Sequence, residues 1–562
     1  MMRRISVLSL VCILLALGCA QPPQPADFIV LGGAIHTFDP MGMTVEALAA
    51  RGQHILALGT EDEIRLLIGP DTEVLDLEGA VAYPGFIDAH AHFLGVGKAQ
   101  MQLKLQGAAT WQAIVDQVAM AVSETPKGEW IFGRGWHQEK WAEAPEGAVE
   151  GLPIHDALSA VSPDNPVMLT HASGHAAIVN ARALEMAGIG PTTPDPPGGE
   201  IVRDSRGRAI GVLRETAEAL VYDVIESEDS DELFRRKVAL ATEECLANGL
   251  TSFQDAGSSI RDAKRFKAMA EAGELQIRLS LMLHEPNDII EPQLDAVRMI
   301  GAGDGFLTVR AIKRWIDGAL GSHGAWLLEP YSDLPASAGL NTEPLDSMAE
   351  TARLAMEHGY QFCTHAIGDR ANRETLDIYQ VEFEGHPESD NLRWRIEHAQ
   401  HLSLDDIPRF AQMGVIASIQ PTHCTSDGPW VPQRLGDARA ESGAYVWRDL
   451  LESGAVLAAG TDAPVEAVDP LATFRSAVTR EMADGNAFYP DQSLTREEAL
   501  RAMTLGAAYA VFEEDQKGSL RVGKYADLTV LSDDLLAVPE DDLDGVTVVA
   551  TIVGGEVRYS GR

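Results

Sequence analysis

Cysteine is scarce: five occur in 562 residues, Cys12 and Cys19 near the start and only Cys245, Cys363 and Cys424 in the body. No CxxC pair exists, so neither a disulfide framework nor a cysteine-based zinc knot is available, and ordinary packing is left for the three body thiols. Positive charge is equally short. Forty-four Lys plus Arg face 84 Asp plus Glu, a formal net charge of −40, which repels phosphate backbones and anionic membrane surfaces. Nucleic acid is thereby disfavoured as a partner and a small molecule expected; composition names no oligomeric state. Past the first twenty residues no apolar run approaches the roughly 18 residues that a membrane-spanning helix needs.

The N-terminus is different. Arg3 and Arg4 precede the apolar stretch Ile5 to Leu17, followed by Gly18-Cys19 and the proline-rich Gln21-Pro22-Pro23-Gln24-Pro25. Basic residues, an apolar core and a small residue before the cut describe a secretory signal over residues 1–18, with a linker over 19–26. The Leu15-Ala16-Leu17-Gly18-Cys19 run is similar to a bacterial lipobox, with Ala16 where Leu is commonest. The expectation is an exported lipoprotein, facing the periplasm or the cell surface, whose membrane contact is a lipid on Cys19.

The body alternates. Ala26 to Phe38, Val45 to Gly59 and Thr72 to Leu77 carry short apolar runs broken by glycine, and Ala526 to Leu531, Val546 to Val553 and Glu556 to Tyr559 share that texture. Both ends are expected to build one small antiparallel β-domain, a β-sandwich from residues 27–82 and 513–562. Between them strand-like and helix-like segments take turns, the pattern of a parallel sheet with covering helices. The strand candidates are Tyr83 to Ala89, Thr251 to Asp255, Ile277 to Leu283, Thr308 to Ile316, Gln361 to Ala366, Leu392 to Glu397, Val415 to Gln420 and Val456 to Thr461. Eight of them predict an α/β fold, a (β/α)8 TIM-like barrel over 83–512. The gap after the first is too long for one crossover, so residues from about 95 to 245 are expected to form an insertion at the barrel mouth.

Asp88, His90, His92, Asp255, His284, Lys313, Asp317, His365, His398, His423 and Asp462 all fall at the C-terminal ends of these candidates, where barrel active sites lie. His90 and His92 are two apart, so on a strand their imidazoles share a side and can hold one metal between them. His365 and His398 add neutral nitrogen donors suited to zinc, and Asp462 can both coordinate and carry a proton.

The run Pro84-Gly85-Phe86-Ile87-Asp88-Ala89-His90-Ala91-His92 resembles the first-strand signature of the amidohydrolase superfamily. More narrowly the chain resembles amidohydrolase family 3, the group that includes N-substituted formamide deformylase. The resemblance extends through Gly133-Arg134-Gly135-Trp136, His171-Ala172-Ser173-Gly174-His175, Lys313, Asp317 to Ser322, His365 to Ala371, Arg395-Ile396-Glu397-His398, Pro421-Thr422-His423 and Gly460 to Pro464. It implies a metal-dependent hydrolase that cuts a non-peptide carbon–nitrogen bond with activated water. Its metal residues would be His90, His92, Lys313, His365, His398 and Asp462, holding one or two zinc ions. An ammonium has no lone pair, so Lys313 joins a two-ion site only as the carbamate that such relatives form with carbon dioxide. If it stays a plain lysine, one ion is expected.

Asp462 is the candidate proton carrier and His423 the candidate partner of the scissile carbonyl, with packing as the alternative for His423. His171, His175 and Trp136 are candidate substrate contacts, against plain packing of the loop. Trp141 and Trp430 carry the same two readings, and Arg134, Asp369 and Arg370 suit a structural ion pair equally well. Ester or lactone hydrolysis, deamination, or small-molecule binding without catalysis are the competing functions on the same fold. For the N-terminus, mass spectrometry of the native protein should find Cys19 first and lipid-modified; an unmodified N-terminus further along would remove the lipid while leaving export.

Overall fold

The computed structural model describes residues 24–39, 44–225, 230–387 and 391–561; the expected signal segment and Cys19 lie outside them. Eight strands run parallel in chain order: Phe86–Ala91 (β1), Leu250–Ser258 (β2), Arg278–Leu283 (β3), Leu307–Trp315 (β4), Gln361–Ala366 (β5), Arg395–His398 (β6), Ile416–Ile419 (β7) and Leu457–Ala459 (β8). Each pairs with the next. Nearly every residue in them is buried, as expected when helices cover one face and the barrel interior fills the other. Helix Leu345–His358 ends on Gly359 at φ 66°, and Ile407–Met413 on Gly414 at the same angle. A left-handed residue there turns the chain straight into β5 and β7, and glycine takes that conformation without strain.

β8 and β1 share no ladder; short-range bonds close the barrel instead. The Asp462 amide donates to the His90 carbonyl and the His92 amide to the Ala463 carbonyl, both at 2.7 Å. Beneath them the buried Asp88 carboxylate accepts from the Thr461 amide at 3.0 Å and from its hydroxyl at 2.5 Å. Gly460 makes this approach possible by having no side chain, since a Cβ there would sit 2.4 Å from the His90 nitrogen and 2.6 Å from Asp88 Oδ1.

The eight strands fall within a few residues of those expected, with one shift of boundary. Tyr83 and Pro84 belong not to β1 but to Val81–Pro84, a strand of the end domain that pairs antiparallel with Leu528–Leu531, Thr529 opposite Tyr83. The end regions build two sheets, but neither is purely antiparallel as expected: Phe28–Leu31 runs parallel to Glu73–Asp76, and Ala34–His36 parallel to Val81–Pro84. The second sheet contains strands from both chain ends. Thr529 fastens it to the barrel: its hydroxyl donates to the Gly249 carbonyl at 2.6 Å and accepts from the Phe86 amide at 3.0 Å. A buried ion pair, Arg278 with Asp527 at 2.8 Å, adds a second tie.

Between β1 and β2 the chain leaves through helix Phe93–Ala99, builds a mixed six-stranded sheet, and returns through helix Asp231–Ala247. The two helices press together where Gly97 would place a Cβ 2.0 Å from the Lys237 carbonyl. The sheet has a core of its own that includes Trp111, Ile114, Trp136, Leu169 and Ile178. No described helix is long and apolar enough to cross a membrane.

Gly460→Ala should therefore destabilise the protein by about 1–3 kcal/mol, the usual cost of forcing atoms into a filled core, and should lower bound metal with it. Thermal unfolding and elemental analysis check this; an unchanged melting temperature would mean that the seam has slack.

Candidate metal centre

The mouth of the barrel gathers His90 from β1, His92 just past it, Lys313 from β4, His365 from β5, His398 from β6 and Asp462 from the loop after β8. Two trios stand out. His90, His92 and Asp462 each offer a donor atom within 4.8 Å of the others, and so do His398, His423 and Asp462. Asp462 is common to both. Its Oδ1 lies 3.3 Å from His92 Nε2 and 3.6 Å from His90 Nε2, and its Oδ2 lies 3.6 Å from His423 Nε2. The His365 and His398 rings lie 4.4 Å apart, so His365 borders the second trio without belonging to it. Asp462 at φ 58° and His398 at φ 76° have left-handed backbones, uncommon for residues other than glycine and concentrated at functional sites.

The electrostatics are those of ligands rather than of ion pairs. Burial, helped by the charge of Lys313, lowers the His90 pKa to about 4, and burial holds His365 and His398 well below the ordinary imidazole value. All three are neutral at pH 7, as metal binding requires. Burial pushes Asp462 upward, but the His92 contact and the neighbouring His90 outweigh it and keep the group ionised. Lys313 is lowered to about 8 by burial, and its Nζ has no hydrogen-bond partner among the described residues. His90 Nε2, His365 Nε2, His423 Nε2 and Asp462 Oδ1 are likewise buried and unpartnered. Each such atom costs on the order of 1–3 kcal/mol, and one or two cations among them would satisfy the set. The donors present thus fit metal.

A second layer, only partly visible in sequence, orients the first. Glu397 binds His90 Nδ1 and pairs with Arg395 at 2.7 Å, inside the barrel. Burial works against its charge, but Arg395 and then His90 overturn that and hold the carboxyl well below the usual range. His398 Nδ1 meets Gln420 Oε1 at 2.7 Å. Asp317, raised to about 8 by burial, accepts from the Ile367, Gly368 and Trp326 amides and sits 3.4 Å from His365 Nε2. The available signal was Arg395 and Glu397 two apart in one strand, which places two charges on the same face.

Two cavities meet here. One of about 1000 Å³ reaches His92, Ser173 and His175; the other, about 50 Å³, is bounded by His398, His423, Asp462, His171 and His175 among others. His175 lies on both, its Nδ1 held by Glu215 at 2.8 Å and its ring 4.9 Å from His365. His171 faces the small cavity while bonding to Gln138 and Ser173. Trp136 does not join them. It is fully buried in the core of the insertion, its Nε1 donates to the Leu169 carbonyl at 2.7 Å, and it lines neither cavity, so substrate contact would require that core to open. Trp141 packs in the same core, whereas Trp430 lines the small cavity. Arg134, Asp369 and Arg370 form no ion pair with one another: Arg134 binds the carbonyls of Pro464 and Ala172, and Arg370 pairs with Glu374.

The sequence model of the amidohydrolase family matches residues 73–559, nearly the whole chain. The chain belongs to the amidohydrolase family. Among curated relatives, Protein LONG AFTER FAR-RED 3 of Arabidopsis thaliana is 33% identical over 95% of this chain and 92% of its own length. N-substituted formamide deformylase of Arthrobacter pascens is 28% identical over 95% and 99%. Among solved structures, a metal-dependent hydrolase of Pyrococcus horikoshii superposes with a TM-score of 0.72 at 26% identity, covering 92% of this chain and 99% of that one. This amidohydrolase is a metal-dependent hydrolase built on the TIM-like barrel.

Glu397→Gln should weaken metal binding roughly 10- to 100-fold, the usual effect of removing a group that orients a ligating histidine. Competition with a chelator measures it; unaltered affinity would show that His90 is positioned without that charge.

Proposed function

We propose that the chain hydrolyses an amide-type carbon–nitrogen bond outside peptides, with Asp462 carrying the proton. The observation that bears most weight is the sharing of Asp462 between two trios of donors, one of which reaches the large cavity through His92 while the other lines the small one. His90, His92, His365, His398 and Asp462 would hold the metal, zinc being the ion that this nitrogen-rich set suits best. Lys313 joins them if two ions bind, as a carbamate; the burial that favours its neutral amine favours that reaction. Metal ions in such a site act as Lewis acids and lower the pKa of water to about 7.

The chain's own groups do the rest. Asp462, ionised and within reach of both trios, takes the proton of the attacking water and passes it to the departing nitrogen, which would otherwise leave as an unstable anion. His423 would hold the carbonyl oxygen, a role supported by its Nε2 lying 3.6 Å from Asp462. The small cavity suits a short acyl group and the large one the amine side. The name of the deformylase relative, 28% identical, supports the same kind of bond. A panel of N-acyl amines, formamides, esters and lactones tests the assignment; turnover of esters alone would replace it.

Asp462→Asn should cut turnover by about a hundredfold to ten-thousandfold with the fold intact, because asparagine keeps the size and a carbonyl oxygen but cannot accept and return a proton. Metal content and thermal unfolding must be read beside the rate. Near-normal turnover with normal metal would move the proton-carrying role elsewhere.

A further inference from the structure

The large cavity has a wall that the hydrolytic chemistry does not use. Lys98, in the last turn of helix Phe93–Ala99, opens onto it, and so does Arg134 on the insertion strand Ile131–Trp136. Neither forms an ion pair with a carboxylate among the described residues. The Lys98 ammonium lies 5.9 Å from the Phe132 ring centroid and 5.8 Å from that of Tyr222; burial and then the like charges of Lys237 and Arg134 lower its pKa, with Glu218 acting the other way. Arg134 directs Nε to the Pro464 carbonyl and Nη2 to the Ala172 carbonyl, which leaves Nη1 without a hydrogen bond among the described residues.

In an acidic chain with 84 carboxylates to 44 basic side chains, two cations without an ion pair stand side by side in one concave wall, where an anionic group could meet both. We propose that Lys98 and Arg134 form an anion subsite that receives a carboxylate carried by the substrate, remote from the bond that is cut. The inference rests on the hydrolase reading above and specifies its substrate class: amides that bear a carboxylate on the side filling the large cavity. Five carboxylates line the same cavity, those of Glu215, Glu218, Glu285, Asp288 and Glu343, and none forms an ion pair with Lys98 or Arg134 among the described residues. Glu215 is engaged by His175, and Glu343 lies 3.5 Å from Arg314. Glu218 has no ion pair; burial first, then the charge of Glu215, raises its pKa, against the pull of Arg134 and Lys98.

A matched pair of ketones tests this apart from turnover, because neither has a bond for the enzyme to cut: 7-oxooctanoate, which ends in a carboxylate, and 2-octanone, which ends in a methyl group. Calorimetric titration of the metal-loaded protein should find the carboxylate ligand bound roughly tenfold tighter or more, the worth of one charge-assisted hydrogen bond. Lys98→Met should abolish that preference and Lys98→Arg restore most of it, with circular dichroism and metal content unchanged in both. Equal binding of the two ketones, no binding of either, or a preference that survives Lys98→Met would overturn the subsite. If the preference is present and sensitive to Lys98 while no amide in the panel is turned over, the subsite stands and the amide reading falls.

Discussion

The closure of β8 onto β1 is the constraint on which the rest of the molecule depends. A parallel barrel normally closes with a ladder; here two backbone bonds and one buried carboxylate do the work, because His90, His92 and Asp462 must all leave their strands at that point and face inward. Asp88 is raised to about 7 by burial and is nonetheless placed to accept from Thr461 and from the His90 amide. The same few atoms that join the last strand to the first also set the spacing of the metal donors. Stability and chemistry are coupled there, and a change that loosens one loosens the other.

Around that seam the polar interior is layered. Neutral imidazoles face the mouth, charged groups stand behind them, and backbone amides or side-chain amides stand behind those: Glu397 with Arg395, His398 with Gln420, Asp317 with three amides. Each layer lowers the cost of burying the one in front of it, but the front layer is left with unpartnered donor atoms. Without a cation the centre is a concentrated patch of unsatisfied polarity at the end of a well-packed barrel. Binding energy spent on metal there is also folding energy.

What could be read from the sequence follows from how local each signal is. The barrel strands were legible as short apolar runs at the right spacing, and the candidate donors His90, His92, His365, His398 and Asp462 as polar residues at their ends. The boundary at Val81–Pro84 was not, because whether a strand belongs to the barrel or to the end sheet depends on a partner near the other end of the chain. Parallel pairing within the end sheets is hidden for the same reason. Trp136 looked like a pocket residue since it lies beside glycine and histidine, yet its indole turns into the core of a sheet whose other strands lie tens of residues away. Glu397 showed only as part of a motif; its role beside His90 rests on the meeting of β1 with β6 across the barrel.

The pairing of Val81–Pro84 with Leu528–Leu531 bears on how the chain is made. Tyr83 donates its hydroxyl to Asp534, 451 residues further on, and the strand that carries it runs directly into β1 and the first two metal donors. Contacts that distant form late in a growing chain. The start of the barrel therefore has to wait for a segment made some 450 residues later before it is held from outside, and until then the strand Val81–Pro84, just ahead of the histidines, has one edge unclaimed.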